Sequence, residues 1–231
     1  MVNKKNSEII DTLISNYTKL QGNENDILVI DKWFQSKENL SKLDEEGIDL
    51  IIVGDNPGNL EQKYKQYFCE KGSAGKHART FKEFAEYLCF SDNSNFNTIF
   101  LNKTPFPSPT TDKLAIDERV KKSIDLTINA LNDFALNKHN NKKLIVLIIG
   151  YSKNELNKSF YNQLKNNAKP DLTQKLRFAK HFSNGHFMEQ FVNNLHLDMK
   201  EFKDIKLISI LNRMHKETIK KINEHFNLEF H

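Results

Sequence analysis

The chain has 231 residues, 28% charged and 38% hydrophobic, with 17 phenylalanines. That is too much apolar material for a disordered chain and enough for one sizeable core. A formal net charge of +4 permits a polyanionic partner without demanding one. The two cysteines, Cys69 and Cys89, are too few for a disulfide framework or an all-cysteine zinc site. The opening "MVNKKNSEIIDTL" has no apolar signal core, and no apolar run nears the ~20 residues that span a bilayer. A cytoplasmic chain with no membrane partner is expected, with a monomer as the default.

In chain order, "SEIIDTLISNYTKL" (7–20) carries a helical apolar stripe with Ser7 as a candidate N-cap. A segment predicted helical around Trp33 ends near Gly47. Residues 1–47 thus read as a helical extension packed on a main domain of residues 48–231. "IDLIIVG" (48–54) reads as a buried strand, followed by a long loop over 55–77 and a helix over 78–90. "NTIFLN" (97–102) is a second strand. Pro105, Pro107 and Pro109 then exclude helix or central strand from 103–111. A helix is predicted at about 116–137, and "KKLIVLIIG" (142–150) is the clearest buried strand. A helix over 152–166 breaks before Pro170, a fourth strand covers 174–181, and the rest is mostly helical after the turn "FSNG".

Strands alternating with helices predict a three-layer α/β/α sandwich around a four-stranded parallel sheet. In such sheets ligands gather beyond the carboxyl ends of the strands. Three polar groups, far apart in sequence, fall at those ends: Gly54-Asp55-Asn56-Pro57-Gly58, Asn102 onward, and His181 onward. Each also reads as a plain turn or cap. The chain has neither a G-x-S-x-G nucleophile elbow nor a G-x-x-x-x-G-K-[ST] phosphate loop.

Together "GDNPG" after the first strand, "IFLN" ending the second and "KHFSNG" ending the last resemble the uracil-DNA glycosylase superfamily over about residues 48–190. "GSAGKHARTF" (72–81) and "NKTPFPSP" resemble further stretches of one of its branches. The resemblance implies a DNA glycosylase with DNA as partner and with no metal or cofactor. Its iron–sulfur branch needs four cysteines, so no cluster is expected. Asp55 or Asn56 would place the attacking water, a carboxylate also stabilising positive charge on the sugar. Gly54, Pro57 and Gly58 would shape the loop against the substrate, and Asn102 would read the pyrimidine edge with its adjacent donor and acceptor. His181 would stabilise the departing base; it is followed by Phe182 where the superfamily has proline. A flipped base needs an aromatic platform, for which Tyr67 and Phe68 are the candidates. Lys76, Arg79, Ser183 and Asn184 would approach the DNA. Two other readings stay open: a non-catalytic nucleic-acid-binding member of the same fold, and an unrelated α/β enzyme acting on a nucleotide.

Overall fold

The computed structural model describes residues 4–22, 27–89, 96–137, 141–200 and 206–230, except the side chains of 89, 184 and 197–200. Its centre is a parallel sheet in the order β2-β1-β3-β4, with β1 Leu50–Gly54, β2 Thr98–Asn102, β3 Ile145–Ile149 and β4 Leu176–Ala179. Every residue of β1 is buried, as expected for a strand covered on both faces. The register pairs Gly54 with Asn102 and Ile149 with Ala179. The polar residues that follow the strands are therefore brought to one edge of the sheet.

The helices are α1 Asn6–Thr18, α2 Lys37–Glu46, α3 Asn59–Tyr64, α4 Ser73–Cys89 and α5 Glu118–Leu136, then α6 Glu155–Asn167, α7 Pro170–Lys175, α8 His186–Lys200 and α9 Leu207–Phe226. Helices α1, α5 and α6 pack together, as do α4, α8 and α9. Right-handed crossovers put these two sets on opposite faces of the sheet, which makes the molecule a three-layer α/β/α sandwich. The N-terminal segment adds Ile9, Ile10, Leu13, Val29, Phe34 and Leu43 to the same apolar core. No described helix is long and apolar enough to cross a membrane.

Two local expectations are corrected. The stretch 55–77 is not one loop: it holds α3, and α4 starts at Ser73 rather than at 78. Its glycines read as loop residues, but Gly75 is there for packing. A β-carbon at Gly75 would lie 2.1 Å from the Cys69 carbonyl oxygen, so only glycine lets α4 close on the Phe68–Cys69 backbone. The break expected before Pro170 is present, since α6 ends at Asn167, and Pro170 then starts α7 at its first position, where its missing N–H costs nothing. The fourth strand shrinks to four residues because α7 runs up to Lys175.

Candidate functional site

At the carboxyl edge of the sheet lies a cleft of about 300 Å³ lined by Asp55, Asn56, Gly58, Glu61, Phe68, Asn102 and His181, among others. The three strand-end groups therefore meet at one place. Asn56 follows β1, and its Nδ2 donates to the carbonyls of Pro57 (3.2 Å) and Ser108 (3.4 Å). This turns its Oδ1 away from those bonds, and that oxygen is buried with no hydrogen-bond partner. Asn102 ends β2 and is 4% exposed. Its Nδ2 also makes no hydrogen bond of bonding geometry, although the amide favours the ionised form of Glu61. A buried polar atom left unpaired costs about 1–3 kcal/mol, so two such atoms beside one cleft mark where a ligand can be repaid.

His181 follows β4. The Ser183 backbone N–H donates to its Nδ1 at 3.0 Å, and the Ser183 hydroxyl lies 2.8 Å from the same nitrogen. A nitrogen that accepts from a backbone N–H carries no proton, so the neutral ring holds its proton on Nε2. Burial pushes the His181 pKa down; the Asp55 carboxylate opposes this and the Lys103 ammonium adds to it. The group is thus a neutral N–H donor. Phe182, in the position where proline was looked for, is fully buried among Phe68, Phe81 and Phe187. It anchors the turn from the core side and leaves the His181 ring at the cleft.

Phe68 provides the aromatic wall. Its backbone is left-handed, φ 48°, an unfavourable conformation for a residue with a β-carbon. Its N–H donates to Glu61 Oε1 (2.7 Å), while Glu61 Oε2 accepts from Gly58 (2.8 Å), so one carboxylate holds both loop ends. Burial raises the Glu61 pKa, and these two N–H groups draw it back. The Phe68 ring also packs on Phe100 and Phe182. A β-carbon at Gly54 would sit 2.5 Å from its Cζ, which is the reason for glycine at the end of β1.

Several expected site residues lie elsewhere. Tyr67 is not a platform: it is buried, and its hydroxyl donates to the Val29 carbonyl (2.7 Å). Pro57 and Gly54 shape the loop without lining the cleft; the Pro57 carbonyl accepts from Ser108 N–H. Arg79 lines a different pocket, with Asp31, Trp33 and Phe100, where its Nε lies 3.8 Å from Glu70. Ser183 is committed to His181 and so is not free for a phosphate. Lys76 is exposed on α4 outside the cleft lining, and the Asn184 side chain lies outside the described residues. A second hollow of about 360 Å³ adjoins the cleft at His181 and carries Lys180, His186, Lys221 and His225. Its basic groups include two from α9, a helix that no motif had marked.

Two residues that build this candidate site escaped the sequence reading. Glu61 sits three positions after the Gly58 N-cap, a capping-box spacing that points to its contact with Gly58 but not to the one with Phe68. Lys103 was read as the start of the proline-rich loop. It is fully buried, and its Nζ lies 2.6 Å from Asp55 Oδ1. Among the described residues, no group of three or more His, Cys, Asp or Glu side chains is disposed to hold a metal ion. Compared with models of known protein families and with curated proteins, the chain matches none.

Proposed function

We propose that the chain is a monofunctional DNA glycosylase of the uracil type, which hydrolyses the bond between C1′ and a deaminated base extruded from DNA. The observation that carries this reading is the pair of unpaired buried atoms, Asn102 Nδ2 and Asn56 Oδ1, in one cleft with the Phe68 ring and the neutral His181. An extruded pyrimidine would stack on Phe68. The Asn102 amide would donate to O4 and accept from N3–H. As the C1′–N1 bond breaks, its electron pair passes to the base, and His181 Nε2–H donates to the negative O2. Water held by Asn56 Oδ1 then bonds to C1′ and loses its proton to solvent. The Asp55 carboxylate stabilises the positive charge that builds on the sugar. The basic hollow beside His181 suits the phosphates flanking the extruded nucleotide.

The test is incubation of the purified chain with labelled oligonucleotides holding uracil, hypoxanthine, xanthine or a T·G mismatch, followed by alkaline cleavage. Abasic sites in the uracil-containing strand are expected. Salt-dependent DNA binding with no base release from any strand would instead leave the non-catalytic reading.

A further inference from the structure

In the strand order β2-β1-β3-β4, the connection after β1 runs one way and that after β3 runs the other. The crevice between their carboxyl ends is the usual ligand position in open parallel sheets. Here a side chain of the protein fills it. Lys103, from the end of β2, places Nζ 2.6 Å from Asp55 Oδ1 after β1, and 3.0 and 3.1 Å from the Ile149 and Gly150 carbonyls after β3. It also donates to Asn157 Oδ1 on α6. The Lys103 backbone N–H donates to the carbonyls of Gly54 (2.8 Å) and Asp55 (2.9 Å). One residue therefore grips the loop after β1 by both main chain and side chain.

Four oxygens around one nitrogen require an ammonium. A neutral amine has two N–H donors and would turn its lone pair onto an oxygen. Phe160 and Tyr161 rings at 5.3 and 5.2 Å complete the cage. Burial lowers the Lys103 pKa, and Asp55 holds it up. Gly150, at φ +83°, leaves the space: a β-carbon there would crowd the Asp55 carboxylate to 3.0 Å.

We propose that Lys103 is a positioning residue, a built-in counter-cation that fixes the Asp55 carboxylate at the wall of the cleft and sets Asn56 and Asn102 on either side of it. The role rests on the glycosylase reading, but the ion pair itself does not. A buried ion pair loses far more stability when one partner is removed than when both are made neutral. Lys103→Met, Asp55→Asn and the double variant are therefore compared by urea unfolding and by steady-state base release. The expected result is that both single variants are destabilised and that the double variant falls short of the summed losses. In folded K103M, kcat drops about 100-fold, the loss that a misplacement of about 1 Å brings, with KM nearly unchanged. Wild-type kcat in folded K103M overturns the positioning role, as does wild-type kcat in the double variant should K103M fail to fold. Strictly additive stability losses overturn the brace. If the wild-type chain releases no base, the glycosylase reading fails alone, and the stability cycle still decides whether Lys103 holds Asp55.

Discussion

Buried asparagines occur at both ends of the sheet, and their surroundings differ. At the amino end, Asn6, Asn137 and Asn141 form a closed set. Asn6 Nδ2 donates to the Leu43 carbonyl and Asn141 Oδ1, and Asn6 Oδ1 accepts from Asn137 and Asn141. Asn141 also takes the Ile48 N–H and gives to the Phe134 carbonyl. These bonds tie α1, the end of α5 and the entry to β1 together. At the carboxyl end, Asn56 and Asn102 each keep one amide atom buried and unpaired. The same side chain is structural where its hydrogen bonds are filled by the protein. Where one bond is left empty beside a cleft, a ligand has something to gain. Asp55 is the intermediate case, lining the cleft yet satisfied from within by the buried Lys103.

The contrast is broken or sharpened most strongly by activity. Asn56→Ala and Asn102→Ala are expected to slow release of uracil by about 10²–10³-fold each, the usual loss for a missing transition-state hydrogen bond. Both should stay within ~1 kcal/mol of wild-type stability, because each removes an unpaired atom together with its bonds. A gain in stability with unchanged release in either would show that its free atom is a structural fault and not a ligand contact. Asn141→Ala reverses the pattern. Stripping partners from Ile48 N–H, Asn6 and the Phe134 carbonyl should cost about 3 kcal/mol, or roughly 6–12 °C in Tm. Release per folded molecule should not change, and calorimetry alongside the oligonucleotide assay checks both.

The smallest effect concerns a histidine that belongs to neither group. His215 stacks on Phe178 at 5.3 Å and accepts its N–H, and burial, aided by Arg177, lowers its pKa from 6.5 to about 4. A depressed histidine binds its proton more readily when unfolded. Its stabilising share is therefore complete above pH 6.5 and is lost as pH falls from 6.5 to 4. Because the ring is partly solvated, the loss should reach only ~2 kcal/mol. Urea midpoints of wild type and His215→Phe across that window measure it. Identical slopes in the two proteins would remove His215 as the cause.

Much of this was readable from residue order, and the parts that were not share a cause. "IDLIIVG" and "KKLIVLIIG" announce buried parallel strands by apolar continuity, and strand–helix alternation sets the layers. Asn56, Asn102 and His181 were named because each stands at or near a strand end, and Phe68 as an aromatic in the segment after the first strand; all four line one cleft. Gly75 read as a loop residue because local preference disfavours glycine in helices, and only the approach of the Phe68–Cys69 backbone explains it. Tyr67 and Phe68 are neighbours of similar character. Which one faces the cleft is decided by the left-handed turn at Phe68 and by the Val29 carbonyl that captures Tyr67.

The linear chain, through its apolar periods and turn residues, was sufficient to set the class of fold and the edge of the sheet where polar side chains gather. Those signals are local, and each strand carries its own. Partner choice among the polar groups belonged to the folded state alone. A lysine beside three prolines looks solvent-bound until four oxygens, from Asp55, Ile149, Gly150 and Asn157, close around it. Hydrogen bonding and ion pairing act over a few ångströms between residues about 50 positions apart in the chain, a distance that no sequence window spans.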